Sequence, residues 1–220
     1  RASPRSTRVW SRILATNGSA STVITAMAKD SLGFYWFGTM DGILRFDGTN
    51  FTTFRSSRSD SSAVPGGTVT TILPDRDDHL WIGTDNGMCR FDPRTGKALR
   101  FHHDPRDSRS VPQDDRTVMA YDRSGDLLVG GSGGLARMDP NTGAFTALLG
   151  HDQVHGHISN MMVARDGTIW LATPDGVMRC DPQGKDVQQI GAPFSDPRTR
   201  DAQYIAQDAT GRIWCSTSSA

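Results

Sequence analysis

The strongest constraint on this chain is a repeat. The stretch Trp36-Phe37-Gly38-Thr39-Met40-Asp41-Gly42-Ile43-Leu44-Arg45-Phe46-Asp47 returns as Trp81-Ile82-Gly83-Thr84-Asp85-Asn86-Gly87-Met88-Cys89-Arg90-Phe91-Asp92. It returns again, more altered, from Leu128 to Asp139 and from Trp170 to Asp181, and a fifth copy opens at Ile213-Trp214-Cys215-Ser216-Thr217. The anchor positions Trp36, Trp81, Leu128, Trp170 and Trp214 lie 45, 47, 42 and 44 residues apart. That period holds four short strands with their turns, the size of a propeller blade, and exceeds a leucine-rich repeat. No stretch sustains a 3.6-residue apolar period, so helical repeats are excluded.

Turn residues mark the strands inside each copy. In the second, residues 69–73 read as the innermost strand and 74–78 as a polar turn. Strands follow at 79–84, 88–91 and 97–101, separated by Asp85-Asn86-Gly87 and by a turn ending in Gly96. The expected fold is all-β: a β-propeller of four-stranded antiparallel blades, about four and a half of them, in an incomplete ring. Residues 1–20 are expected to lead into blades at about 21–55, 68–101, 117–148 and 158–190, with a truncated fifth at 203–220. A blade cannot bury both its faces alone, so all the Trp positions are expected to fill the layers between neighbours. Four and a half blades leave two open edges. A fragment of a longer reading frame accounts for this, and two chains completing one ring as a homodimer is the alternative.

Several local patterns suggest chemistry, and the repeat absorbs most of them. Gly130-Gly131-Ser132-Gly133-Gly134 has the spacing of a nucleophile elbow, but an elbow needs a strand-to-helix turn, and the other copies make this a strand-to-strand turn. Asp75, Asp77 and Asp78 begin like a calcium loop without its glycine and distal glutamate; they sit where Asp favours local backbone bonds. His151, His155 and His157 form the densest histidine cluster, yet no second ligand set accompanies them, so no metal and no cofactor is expected. Cys89, Cys180 and Cys215 are too few and too scattered for a disulfide framework and read as small apolar side chains.

In a propeller the inter-blade loops share one face with the turns between second and third strands. That face is expected to collect Asp41, Asp85, Asn86, Arg116, His151, His155, His157 and Asp175 as candidate ligand-binding residues. No catalytic residue is expected. Zero net charge removes the electrostatic case for nucleic acid or an anionic membrane. No apolar run reaches the roughly 20 residues of a spanning helix. Residues 1–8 lack the core of a signal peptide, so an export signal would lie upstream or have been removed.

The blade resembles the two-component regulator propeller repeat, whose signature runs Asp-x-x-Gly-x-Leu-Trp-Ile-Gly-Thr-x-x-Gly-Leu-x-Arg-Phe-Asp. Residues 77–92 and 30–47 follow it closely and 166–181 less so; Leu128 and Gly130-Gly131 depart from it. The resemblance runs from about residue 9 to 217. It implies the periplasmic sensing part of a bacterial inner-membrane receptor, reached by a small molecule, glycan or peptide, with membrane contact only through flanking segments. A small β-sandwich, a membrane helix and a histidine kinase or diguanylate cyclase would follow. The segment itself is then no enzyme. The alternatives are a propeller enzyme of the streptogramin-lyase type, which would need a histidine and metal-binding carboxylates converging on the loop face, or a soluble interaction scaffold. Against a scaffold of the Trp-Asp repeat type, that repeat's Gly-His and Trp-Asp pairs are not in phase here.

Overall fold

The protein's structure, a computed structural model, describes residues 23–57, 59–139, 141–190 and 201–217. The expected lead-in 1–20 and most of the last inter-blade loop lie outside them. The described residues form eighteen strands and no helix. β1 (Ala26–Lys29), β2 (Tyr35–Thr39), β3 (Gly42–Phe46) and β4 (Phe51–Arg55) make the first antiparallel sheet. β5 (Val69–Pro74), β6 (Leu80–Thr84), β7 (Gly87–Asp92) and β8 (Lys97–Phe101) make the second. The third is β9 (Val118–Tyr121), β10 (Leu127–Gly131), β11 (Gly134–Met138) and β12 (Phe145–Leu149). The fourth is β13 (Asn160–Val163), β14 (Ile169–Thr173), β15 (Gly176–Cys180) and β16 (Gln188–Ile190). β17 (Ala202–Gln207) and β18 (Ile213–Thr217) pair as the start of a fifth. The architecture is an incomplete β-propeller.

Two turn chemistries recur and explain why each sheet meanders. At the first turn Asp75 Oδ1 accepts the amides of Asp77 (2.8 Å) and His79 (2.9 Å), and Asp122 and Asp208 each take two amides in the same way. These side chains mimic a backbone turn. The second oxygen ties the turn to the sheet: Asp30 and Asp208 accept the indole N–H of Trp36 and Trp214, whereas Asp75 accepts Arg90 and Asp122 pairs with Arg137. In the fourth blade Ala164 occupies this place and Asp166 carries the turn instead, accepting the amide of Thr168. At the second turn Gly42, Gly87, Gly134 and Gly176 all have positive φ, and the hydroxyls of Thr39, Thr84 and Thr173 donate to the glycine carbonyl three residues on.

The core lies between blades rather than within them. Trp36 and Ile43 pack with Val69, Ile72, Ile82 and Phe91 of the second blade. Trp81 and Met88 pack with Met119, Val129 and Met138 of the third. Leu128, Leu135 and Leu149 meet Ile158, Ile169 and Leu171 of the fourth, and Ala172 and Val177 meet Ala202 and Ile205 of the fifth. Close approach of the inner strands sets one sequence rule. A Cβ at Gly38 would lie 2.6 Å from Val69, one at Gly130 would lie 2.6 Å from Met161, and one at Gly83 would strike the Thr117 carbonyl. The fourth copy has Ala172 at this position, facing the small Ala202.

The Trp positions differ in burial along the arc. Trp36 and Trp81 are buried, but Trp170 is only half-buried and Trp214 is 59% exposed. Each Trp is covered by the following blade. The blade after Trp170 contributes two described strands, and no strand beyond β18 is among the described residues.

Candidate ligand-binding face

The loop face is built most densely at the boundary of the third and fourth blades. Gly131 stands where the other copies have Thr, and a Cβ there would lie 2.8 Å from the Asp115 carbonyl. The loop before β9 therefore comes in close, and the carboxylate of Asp115 accepts the hydroxyl of Ser132 at 2.6 Å. The same loop ends in Arg116, held at φ 47°, a conformation sparsely used by residues other than glycine. Its Nη1 donates to Nε2 of His157 at 3.0 Å, which fixes that ring as a neutral acceptor. His151 Nδ1 donates to the Ser132 carbonyl at 2.8 Å.

Electrostatics agree with the neutral ring. Burial, and then the Arg116 charge, lower the His157 pKa below the usual histidine value; Asp201 and Asp115 pull the other way. A neutral His157 lets the exposed guanidinium of Arg116 keep its remaining donors for a ligand. Chemically the cluster suits a carboxylate or another acceptor-bearing group. It does not resemble an acyl-transfer site, because the Ser132 hydroxyl is spent on a carboxylate and His151 reaches the serine's carbonyl, not its Oγ.

Of the eight expected residues, the structure links only Arg116 and His157 directly, and joins His151 to the same patch through Ser132. His155 is exposed in the loop they share. The other four sit at three separate, exposed turns, Asp85 and Asn86 sharing one. Asp41 accepts the Ser56 hydroxyl at 2.9 Å, Asp85 donates its amide to the Thr68 carbonyl, Asn86 donates its amide to Thr84, and the Asp175 carbonyl accepts Gln189. Ser132 and Asp115 are the partners sequence reasoning missed. Their only signal is the loss of Thr at position 131, which makes room for the Asp115 backbone.

Among the described residues no group of three or more His, Cys, Asp or Glu is placed to hold a metal ion. Asp75 and Asp77 instead bind Arg90, at 2.6 and 2.7 Å. Burial raises the Cys89 and Cys180 thiols to about 12 and about 11, so neither is a thiolate at neutral pH.

Comparison with known proteins fits this architecture. The profile described as "Two component regulator propeller" matches residues 63–86, the end of the first inter-blade loop through the second turn of blade two. The chain carries the two-component regulator propeller repeat. A 51-residue stretch is 35% identical to Histidine kinase P4 of Formosa agariphila, covering 23% of this chain and 4% of the kinase. The fold matches a domain assigned as the extracellular part of the hybrid two-component system BT3049 of B. thetaiotaomicron. The TM-score is 0.81 at 22% identity, over 94% of this chain and 29% of that one. It also matches virginiamycin B lyase of Staphylococcus aureus, with TM-score 0.62 at 12% identity, over 88% of this chain and 62% of the lyase. The chain thus spans less than a third of the two-component relatives, and both structural likenesses concern the fold. No helix among the described residues is long and apolar enough to cross a membrane.

Proposed function

We propose that the chain is part of the extracytoplasmic, ligand- or partner-sensing propeller of a bacterial membrane signalling receptor. The observation that carries this reading is the two-component regulator propeller repeat, matched at 63–86 and repeated in phase from residue 30 to 217. The Arg116–His157 pair and the adjoining Ser132–Asp115 pair would receive an acceptor-bearing small molecule, glycan or peptide. Because the patch joins two blades, occupancy would alter their packing, and that change would pass along the arc to the output domain. The segment would bind and not catalyse.

Sequencing the reading frame on both sides tests this. An export signal upstream, with a membrane helix and a kinase or cyclase domain downstream, is the expected result; a frame without a membrane helix or output domain overturns it. In such a receptor, Arg116→Ala with a reporter of the output domain should abolish the ligand response while leaving protein levels unchanged.

A further inference from the structure

The loops preceding blades two and three follow the same path 47 residues apart. In the first, the amide of Ala63 donates to the Asp60 carbonyl and that of Ala98 to the Ser62 carbonyl. In the second, the amide of Ser110 donates to Asp107 and that of Phe145 to Arg109. Asp60 Oδ1 accepts the Ser62 amide just as Asp107 Oδ1 accepts the Arg109 amide. The two loops differ in what the outer strand sends into them. In blade two, Arg100 of β8 enters the loop and donates to the carbonyls of Ala63 (2.9 Å), Ser57 (2.6 Å), Asp60 (2.8 Å) and Val64 (3.3 Å). The loop is a carbonyl cage shaped around a guanidinium.

In blade three the residue at that register is Ala147: Cys89 pairs with Arg100 and the corresponding Ala136 pairs with Ala147. Ala147 borders a cavity of about 350 Å³, also lined by Asp104, Asp107, Ser110, Val111 and Phe145. Asp104, Asp107, Ser110 and Val111 are the counterparts of the four residues that cage Arg100. The Asp104 carbonyl already accepts the Asp107 amide and the Ser110 hydroxyl, and the Val111 carbonyl accepts His103 Nδ1 and, at 3.5 Å, the Ser110 hydroxyl, so both are filled. The Asp107 carbonyl, which takes the Ser110 amide, keeps one lone pair, and the Ser110 carbonyl is the second acceptor that remains among the described residues. Arg109 Nε pairs with the Asp107 carboxylate at 3.3 Å, which leaves the Asp104 carboxylate and the Arg106 guanidinium as the other charged groups of the lining.

We propose that this cavity is a binding site for a guanidinium group, supplied by an arginine derivative or by an arginine side chain of a peptide. Planar donors would meet the Asp107 and Ser110 carbonyls, whose counterparts Asp60 and Ala63 hold Arg100. The site is separate from the Arg116–His157 patch and does not depend on the sensor reading.

The test is a titration of the chain with methylguanidinium, followed by amide NMR shifts at Ser110, Val111 and Phe145. The expected result is saturable shifts that methylammonium does not reproduce and that Ala147→Arg, which supplies the guanidinium internally, abolishes. Shifts that persist unchanged in Ala147→Arg, or no saturable shift in the unaltered chain, overturn the proposal. Should that variant fail to fold, Ala147→Leu, which fills the cavity without supplying a guanidinium, decides: it should abolish the saturable shifts, and shifts that persist unchanged overturn the proposal. Binding of N-acetyl-arginine amide without free arginine would assign the group to a peptide, and binding of both to the amino acid.

Discussion

Trp36 and Trp214 occupy the same position of the repeat and make the same bond. Each indole N–H donates to the second oxygen of the turn aspartate six residues earlier, at 2.7 Å to Asp30 and 2.8 Å to Asp208. Yet Trp36 is wholly buried, tilted against Phe54 and edge-on to Phe91 of the next blade, while Trp214 is 59% exposed. Trp170, whose following blade has only β17 and β18 among the described residues, lies between these extremes. The difference separates two levels of the fold. The hairpin, its Asx turn and its indole bond form from local sequence; burial of the ring is conferred by the neighbour. Stability in such an arc therefore resides in the interfaces, with each blade contributing a preformed half.

The largest expected effect follows directly. Trp36→Ala should cost about 3–5 kcal/mol in urea denaturation, the usual loss for a fully buried aromatic. Trp214→Ala should cost under about 1 kcal/mol, because its ring has little apolar contact to lose. Equal losses at the two sites would break the comparison and place the stability in the hairpin itself.

A second pair sharpens it at the level of the backbone. Gly83 in β6 has ordinary φ but faces the Thr117 carbonyl of the next blade, so Gly83→Ala must push two inner strands apart. A cost of about 1–3 kcal/mol is expected, as for overpacking. Gly33, at φ 92°, has nothing within 4 Å of a Cβ, so Gly33→Ala is strained only by its own backbone, at about 1–2 kcal/mol. Thr117→Gly leaves the Thr117 carbonyl in place, so it should not relieve Gly83→Ala. Relief in a double-mutant cycle would mean that the side chain, not the backbone, sets the spacing.

What the sequence disclosed divides along the same line. Strand positions, both turns and the propeller architecture are written locally, in Gly-x-x-x-Gly spacing and turn aspartates, and were legible. The burial of each Trp depends on residues some fifty positions away, so the sequence around each one does not specify it. The candidate face shows the same split. Placing Arg116, His151, His155 and His157 on one side needs only the blade template. The Ser132–Asp115 bond depends on how far a loop leans inward, which pattern alone does not specify. Arg100 is the sharpest instance: nothing in its neighbourhood marks an arginine that four carbonyls of a loop 36 to 43 residues earlier will surround.

The smallest expected effect concerns a contact that exists only between blades, Arg116 with His157. The folded pKa of His157 lies below the ordinary 6.5. Between that lowered value and 6.5 the unfolded chain binds the proton that the folded chain refuses, so this group's contribution makes stability rise with pH through the window. Arg116→Ala removes the like charge and should move the His157 titration upward, as read by NMR of the ring. Burial is the larger cause and remains, so the pKa should stay below 6.5 and the window should narrow without closing. A titration unmoved by Arg116→Ala would mean that the loops before β9 and β13 do not hold this contact in solution, and the patch would then have to form on ligand binding. A shift with the expected sign would make the blade-three to blade-four boundary a preorganised surface, in contrast to the exposed face around Trp214, where no further blade is among the described residues.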